Sequence, residues 1–324
     1  MRLVRYRQAG QDGWAVHRPD TGLWHGTLRG SAGWPGEVDA LIAAGRAALM
    51  AAGATMARQA PLDLARVDFL PPVARPSKIL CVGLNYKTHI AETGRDAPSH
   101  PILFPRYPSS LVASGQDLVR PHVSSDFDFE GELAFVIGRG GRHIGTTEAL
   151  AHVAGFACFN DGSVRDWQRH TSQFLPGKTF WRSGSFGPWL VTPDEVGEIG
   201  PLTLTTRLND AVMQQATLDD LLFGVPELIA YQDAGYARRY VEFVRRVRPE
   251  QCNDQSGCFL YRLFRSGGCF RTTNCAKQSQ RFVSGKGKYE RQIELRVGVK
   301  DRCSDHDLED HCRSLSCLRA RQLL

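Results

Sequence analysis

The stretch Phe127-Asp128-Phe129-Glu130-Gly131-Glu132-Leu133 places three carboxylates directly before an apolar run that continues to Ile137. The apolar run predicts a buried strand. Because successive side chains of a strand point to opposite faces, we expect Glu130 and Glu132 to lie on one face. Two carboxylates on one face repel each other unless a cation or protons intervene, and a hard divalent ion is the usual partner. The pair indicates a metal site; the alternative for such a pair alone is a solvated acidic strand edge.

A third carboxylate stands at the end of the next apolar run. Residues 152–159 are predicted to form a buried strand, and Asp161 follows after Asn160. Together with Glu130 and Glu132, Asp161 would complete a site of three carboxylates, with water and substrate as the remaining ligands. We therefore predict Glu130, Glu132 and Asp161 as metal ligands, with Mg²⁺ or Mn²⁺ as the cofactor.

A histidine and a glutamate stand three residues apart in Asn85-Tyr86-Lys87-Thr88-His89-Ile90-Ala91-Glu92, after the apolar run 79–84. If this segment is helical, His89 and Glu92 are neighbours on one face. Glu92 can then accept a hydrogen bond from one ring nitrogen of His89 and raise the basicity of the other. The pair is a candidate general base for activating water. The alternative is a surface histidine beside a glutamate on an exposed helix.

Four further polar side chains are candidates for substrate contacts. Arg165 and Gln168 stand three residues apart, and Lys178 follows in a Pro-Gly-Lys-Thr-Phe segment. Their donors suit a carboxylate and a developing oxyanion, so we predict Lys178 as catalytic and Arg165 and Gln168 as substrate-binding. Arg106, in the segment 104–110, is a candidate for contact with a distal substrate carboxylate. Taken alone, each of them is also explained as a solvated surface residue.

The chain divides into three regions of different texture. Residues 1–75 combine strand-like alternation, an Ala-rich helix at 37–52 and a Pro-rich connector, which predicts a small N-terminal hairpin and helix module. Residues 76–232 contain apolar runs separated by Gly and Pro, which predicts a strand-rich α+β body. Residues 233–324 form a basic, cysteine-rich tail. The tail opens with the pattern of an amphipathic helix at 238–248 and then loses its periodicity.

Charge and cysteine are distributed unevenly over the 324 residues. The chain has 40 basic and 34 acidic side chains, but residues 1–234 hold 21 and 24 of these, so the positive excess belongs to the tail. Whole-chain basicity is therefore no argument for a nucleic-acid partner of the first 234 residues. We find no signal peptide and no apolar segment long enough for a membrane helix. We expect a cytoplasmic protein with reduced thiols and no membrane partner.

Five segments, in order along the chain, resemble the fumarylacetoacetate hydrolase family. They are CVGLNYKTHIAE (81–92), FDFEGELAFVIGRGGRHI (127–144), GFACFNDGSVRDWQ (155–168), LPGKTFWRSGSFGPWLVTPDE (175–195) and TLDDLLFGVPELIAY (217–231). The resemblance covers roughly residues 70–232. It implies a mixed β-sandwich roll, a homodimer, and a Mg²⁺ or Mn²⁺ site that binds the 2-oxo acid end of a small-molecule substrate. It gives the roles of metal ligands to Glu130, Glu132 and Asp161, of a His-Glu dyad to His89 and Glu92, and of substrate and oxyanion contacts to Arg165, Gln168 and Lys178.

The tail departs from this resemblance. The family normally continues after L-I-A-Y with a strand and a T-G-T-P-x-G-x-G loop that contacts substrate, and residues 232–324 contain no such loop. The switch in charge, cysteine content and periodicity near residue 232 suggests a shifted reading frame or a replaced C-terminus. Losing the closing strands would leave sheet edges unpaired. We therefore expect the tail to weaken folding and activity.

The leading hypothesis is hydrolysis of a carbon-carbon bond in a 2,4-dioxo acid, such as an acylpyruvate or fumarylpyruvate, to pyruvate and a carboxylic acid. The metal would chelate the carboxylate and the 2-oxo group. His89, oriented by Glu92, would deprotonate water, and Lys178 with Gln168 would stabilise the oxyanion. Decarboxylation of oxaloacetate, isomerisation of hydroxymuconate derivatives and hydration of related acids of aromatic catabolism are alternatives within the family.

An alternative hypothesis of a different class is that the protein is an inactive homologue whose basic tail binds nucleic acid or zinc. Two pairs of cysteines in the tail, Cys252 with Cys258 and Cys269 with Cys275, have the spacing C-x5-C. Structural zinc sites usually use C-x2-4-C, because a short loop brings both thiolates to one ion. We therefore rank this reading below the metal-dependent enzyme.

Overall fold

The computed structural model describes residues 1–94, 96–233, 241–244, 269–271 and 292–300; the side chains of Glu92, Thr93, Asp233 and the last three segments lie outside the description. Within these residues the protein is strand-rich and α+β, which confirms the predicted fold class. The strands, in chain order, are β1 (Arg2–Gln8), β2 (Gln11–His17), β3 (Trp24–Leu28), β4 (Pro61–Leu62), β5 (Asp68–Leu70), β6 (Ile79–Gly83), β7 (Ile102–Pro105), β8 (Leu111–Ala113), β9 (Asp117–Leu118), β10 (Phe127–Asp128), β11 (Gly131–Ile137), β12 (Val153–Asn160), β13 (Ser163–Val164), β14 (Gly184–Phe186), β15 (Trp189–Val191), β16 (Thr203–Leu208), β17 (Ala211–Thr217), β18 (Val241–Val244), β19 (Cys269–Arg271) and β20 (Gln292–Lys300). The helices are α1 (Val38–Ala44), α2 (Arg46–Met56), α3 (Lys87–Thr93), α4 (Arg165–Gln168), α5 (Leu175–Lys178), α6 (Pro193–Val196) and α7 (Val225–Asp233), with 3₁₀ turns at Leu64–Arg66, Pro108–Ser110, Ala149–His152 and Leu218–Asp220.

One large mixed sheet organises most of the described chain. Its main path runs β4-β3-β2-β1-β15-β12-β11-β18-β6-β7, and a second sheet runs β17-β16-β20-β19-β9. Strand β1 pairs with β15 on one side and β2 on the other, so the N-terminal strands continue the sheet of the body. The predicted domain boundary near residue 75 remains a prediction. None of the helices in the described part of the chain is long and apolar enough to cross a membrane.

Strand β11 is central and is buried on both faces. Ala134 and Val136 belong to an apolar cluster that includes residues of α1 and α2. Leu133 and Phe135 belong to a second cluster that includes Leu204 of β16 and residues of α7. Because both faces are covered, the start of β11 lies in the interior of the protein, where charged side chains require partners.

The predicted helix at 238–248 is wrong for residues 241–244, which form β18. Val241 and Val244 of β18 pair antiparallel with Val136 and Leu133 of β11, and β18 pairs in parallel with β6 on its other side. The slot between β11 and β6 offers backbone donors and acceptors along both edges. Such tertiary pairing overrides a local helical pattern. The other residues of 238–248 lie outside the described part.

Two more strands of the tail join the second sheet. Strand β20 pairs in parallel with β16, and β19 pairs with both β20 and β9. The expectation that the tail leaves the sheet edges unpaired is therefore wrong for β11, β6 and β16. The hypothesis of a shifted reading frame stays a prediction. Cys252, Cys258 and Cys275 lie outside the described residues, so the zinc hypothesis also stays untested.

Candidate metal centre

The three predicted metal ligands come together at the end of the β11–β12 pair. Gly131 pairs with Asn160, and the backbone N–H of Asp161 donates to the carbonyl of Glu130 at 2.9 Å. This register places Asp161 opposite Glu130, with Glu132 one pleat further along β11. One carboxylate oxygen from each of the three lies within 4.8 Å of the others, and each residue is only 1% exposed. The alternative of a solvated strand edge does not apply.

Lys178 bridges two of these carboxylates. It ends α5, is fully buried, and donates from Nζ to Glu130 Oε2 at 2.6 Å and to Asp161 Oδ2 at 2.5 Å. The ammonium also lies 5.4 Å from the centre of the Phe104 ring. A buried charge is tolerated when it is paired and hydrogen-bonded, and Lys178 meets both conditions.

Arg165 holds the other oxygen of Glu130. Its guanidinium contacts Glu130 Oε1, donates to Asp128 Oδ2 at 2.9 and 2.7 Å, and reaches Gln168 Oε1 at 3.1 Å. Burial lowers the pKa of Arg165, but the charges of Glu130 and Asp128 outweigh it and raise the pKa above its ordinary value. Arg165 is therefore a permanent cation. Both Arg165 and Gln168 lie in the cluster, as the sequence suggested, and their substrate contacts remain a prediction.

Arg106 contacts one of the three candidate ligands. It is buried and forms an ion pair with Asp161. Its other donors go to Ser183 Oγ at 2.7 Å, to Ser110 Oγ at 3.2 Å and to the carbonyl of Gly162 at 3.2 Å. All of its nitrogens are thus engaged inside the protein. Arg106 thus holds Asp161, and the alternative of a solvated arginine is wrong; its contact with a distal substrate carboxylate stays a prediction.

The charges of the cluster favour a hard cation. Four carboxylates, those of Asp128, Glu130, Glu132 and Asp161, face three cations, Arg106, Arg165 and Lys178. The three candidate ligands offer only oxygen atoms, which suit Mg²⁺ and Mn²⁺ better than a softer metal. With one negative charge in excess and oxygen donors within 4.8 Å of one another, the residues fit such an ion.

His89 is buried and lies in α3, which follows β6 closely. The start of this helix is fixed by Asn85: its Nδ2 donates to the carbonyl of Phe223 at 2.9 Å, and the N–H of Phe223 donates to its Oδ1 at 2.8 Å. A surface position for His89 is therefore excluded. The side chain of Glu92 lies outside the described part, so the His-Glu dyad stays a prediction.

Cys81 lies in β6, the strand that precedes α3 and His89. The thiol is completely buried, and burial raises its pKa well above the ordinary value; the negative charges of Asp161 and Glu132 raise it further. Strand β6 leads into α3 and His89, and β18 lies between β6 and β11 in the sheet.

Several supporting residues escaped the sequence analysis. Asp128 stands in the decisive stretch but had no assigned role, and it holds Arg165. Ser183 and Ser110 hold Arg106, and Asn85 anchors α3. No local sequence pattern predicts these hydrogen bonds of serine and asparagine, because only the fold brings the partners together.

The class of protein follows from this fold and site together with the family comparison. Residues 78–237 match the family model described as fumarylacetoacetate (FAA) hydrolase C-terminal. This part of the chain belongs to the fumarylacetoacetate hydrolase family, which confirms the resemblance of the sequence motifs.

Among individual proteins, the human mitochondrial oxaloacetate tautomerase FAHD2A is 43% identical over 190 residues, which are 58% of this chain and 60% of that protein. The oxaloacetate tautomerase YisK of Bacillus subtilis is 39% identical over 172 residues, 52% of this chain and 57% of that protein. The solved fumarylacetoacetate hydrolase of Exiguobacterium antarcticum superimposes with a TM-score of 0.64 at 27% identity, covering 77% of this chain and 87% of its own. The chain thus spans about 60% of the length of the curated relatives it matches.

Proposed function

We propose that this protein is a divalent-metal-dependent enzyme that interconverts the enol and keto forms of a small 2-oxo dicarboxylic acid, with oxaloacetate as the substrate. The observation that carries the proposal is the buried group of Glu130, Glu132 and Asp161, surrounded by three cationic side chains. Two relatives at 39% identity or more bear the name oxaloacetate tautomerase, which supports this substrate.

Glu130, Glu132 and Asp161 would hold the ion, which we propose to be Mg²⁺ or Mn²⁺. A divalent cation bound there would stabilise negative charge on an enolate oxygen of a 2-oxo acid. Three cationic side chains fix the positions of two of these ligands. Arg165 and Lys178 hold Glu130, and Arg106 holds Asp161. A divalent ion would turn the cluster's excess of one negative charge into an excess of one positive charge, which favours a dianionic substrate.

Tautomerisation requires only that a proton move. The enol O–H bond breaks, a C–H bond forms at carbon 3, and the electron pair of the C=C bond becomes that of the new C–H bond as the C=O bond forms. His89 is the group we assign to this transfer, because an imidazole takes up and releases protons near neutral pH. Unlike hydrolysis, this reaction needs no group that activates a water molecule.

Hydrolysis of a 2,4-dioxo acid remains the second candidate. The spacing of His89 and Glu92 on α3 favours it, since a carboxylate-oriented histidine suits the activation of water. Both reactions would form an enolate of the substrate beside the three candidate ligands. They differ in whether a water molecule attacks a carbonyl of the substrate. Membership of the family supports either reaction and does not choose between them.

The test supplies oxaloacetate and, separately, a short acylpyruvate. Loss of enol absorbance of oxaloacetate without release of pyruvate, abolished by EDTA and restored by Mg²⁺, is the result we expect. EDTA-sensitive release of pyruvate from the acylpyruvate would favour hydrolysis instead. Turnover that is indifferent to EDTA would contradict metal dependence in both.

The assembly and location remain predictions. We propose a homodimer in the cytoplasm, on the family resemblance and on the sequence respectively, with a 2-oxo acid as the small-molecule partner. Sedimentation of the purified full chain would test the dimer.

A further inference from the structure

We infer that Gln214 and Thr206, on the second sheet, are positioning residues that set the place of Glu130 and Glu132 in the candidate metal centre. The inference rests on the proposed function, because it concerns the same carboxylates. Thr206 of β16 and Gln214 of β17 face each other as a cross-strand pair and are both buried. Gly131, the residue between the two glutamates, lies against this pair.

The first contact is a hydrogen bond. The backbone N–H of Gly131 donates to Gln214 Oε1 at 3.0 Å, and the bond is buried. The N–H of Glu130 donates to Asn160 Oδ1 at 3.2 Å, and its carbonyl accepts from the N–H of Asp161. Three backbone groups at residues 130 and 131 are thus hydrogen-bonded. Two of these bonds come from the strand that leads to Asp161, and Gln214 supplies the one that comes from the other sheet.

The second contact is steric. A Cβ placed on Gly131 would overlap Thr206 Oγ1 and would lie 3.3 Å from Thr206 Cβ. Glycine is therefore required at this position by the close approach of Thr206, and no positive φ is involved. Thr206 Oγ1 finds no hydrogen-bond partner among the described residues, so its hydroxyl contributes shape at this point.

These contacts bear on the metal site through the geometry of a strand. At the start of β11 a side chain on Gly131 would point to one face, and those of Glu132 and of Glu130, which directly precedes the strand, point to the other. A shift of the backbone at Gly131 moves both glutamates together relative to Asp161. Residues that orient metal ligands in this way typically change metal affinity when they are altered.

The test measures the affinity for Mn²⁺ by the electron paramagnetic resonance signal of the free ion, on the full chain. Gln214→Leu keeps a side chain of similar size and removes the acceptor. We expect its Kd for Mn²⁺ to rise about 10- to 100-fold. The matched control is Gln215→Leu, whose side chain lies on the exposed face of the same strand and bonds only Thr205 among the described contacts. Its Kd is expected to equal that of the wild type.

A second set of variants tests the steric contact. Gly131→Ala is expected to weaken Mn²⁺ binding by a similar factor, and Gly131→Ala combined with Thr206→Ala to regain much of it, because the overlapping hydroxyl is gone. Gly155→Ala is the matched control for a crowded strand glycine: its Cβ would lie 2.7 Å from Leu190 Cγ, in the neighbouring strand and away from the carboxylates. It should lower the melting temperature and leave the Kd unchanged.

The outcomes separate the inference from the proposed function. A wild-type protein that binds no Mn²⁺ overturns the metal centre, and the inference with it. Wild-type binding with an unchanged Kd in folded Gln214→Leu and Gly131→Ala overturns the inference alone. If Gln214→Leu does not fold, the glycine pair decides: recovery of affinity in the double variant supports the inference, and a Kd in Gly131→Ala equal to the wild type contradicts it.

Discussion

The ammonium group of Lys178 lies 2.6 Å from Oε2 of Glu130, and both side chains are buried. The same ammonium contacts Asp161, which is a candidate ligand of the same ion. Lys178 thus supplies part of the positive charge that these carboxylates require. A divalent ion would add to this positive charge. We therefore expect both Lys178 and the ion to reduce the repulsion between the carboxylates.

Lys178→Met removes the positive charge and keeps the volume of the side chain. Glu130 and Asp161 then lose a buried partner, so we expect the free energy of unfolding in EDTA to fall by about 3–5 kcal/mol. Mg²⁺ should restore more stability to the variant than to the wild type, because it supplies the missing charge. Urea unfolding with EDTA and with Mg²⁺ measures both effects. Lys87→Met, at an exposed lysine, is the control, and an equal loss with and without Mg²⁺ would contradict the shared role.

Glu132→Gln and His89→Ala are expected to separate metal binding from proton transfer. Glu132→Gln removes a charged ligand and should lose Mn²⁺ binding and turnover together. His89→Ala should bind Mn²⁺ normally and lose turnover about 10²- to 10⁴-fold, the range for a general acid or base. Mn²⁺ titration and the oxaloacetate assay, run on both variants, give the comparison. A His89→Ala protein with normal turnover would remove His89 from the mechanism.

Arg106→Lys is expected to be a severe change although the charge is kept. Arginine donates to Asp161, Ser183, Ser110 and a carbonyl at once, and a lysine cannot reproduce this planar fork. We expect a loss of stability of about 3 kcal/mol, since a buried pair is broken in part. Thermal unfolding measures it, with Arg169→Lys as the exposed control. A variant as stable as the wild type would mean that Asp161 does not depend on Arg106.

The thiol of Cys81 is expected to resist alkylation in the folded protein. Burial, reinforced by Asp161, raises its pKa well above the ordinary value, so the thiol stays protonated and unreactive at pH 8. Raising the pH toward 9 should therefore change its reactivity little. Iodoacetamide labelling followed by peptide mass spectrometry measures this, with the same protein in urea as the control. Labelling of Cys81 at the same rate in both states would show that β6 is open to solvent.

Local pattern was enough to find the ligands. The spacing of Glu130 and Glu132 predicts that they share one face, and Asp161 follows the next apolar run. The three residues could therefore be predicted as one metal site from the sequence alone. Their approach within 4.8 Å depends on the register of β11 against β12, which no local pattern states. The strand-rich class was likewise visible, since alternation and apolar runs are local properties.

Contacts between distant parts of the chain could not be predicted. Arg106 lies 55 positions before Asp161, and only the fold shows that it holds this carboxylate. Residues 241–244 lie within the predicted helix at 238–248, yet they pair with two strands that come from 79–83 and 131–137. Gln214 shows the same limit, because its bond to Gly131 joins two sheets.

The central claim is that Glu130, Glu132 and Asp161 bind one divalent cation. Crystals of the full chain soaked in Mn²⁺ and measured for anomalous scattering test it most directly. We predict a single anomalous peak in contact with all three carboxylates, absent from Glu132→Gln. A peak elsewhere in the protein, with Lys178 still bridging Glu130 and Asp161 and no density between the ligands, would contradict the account.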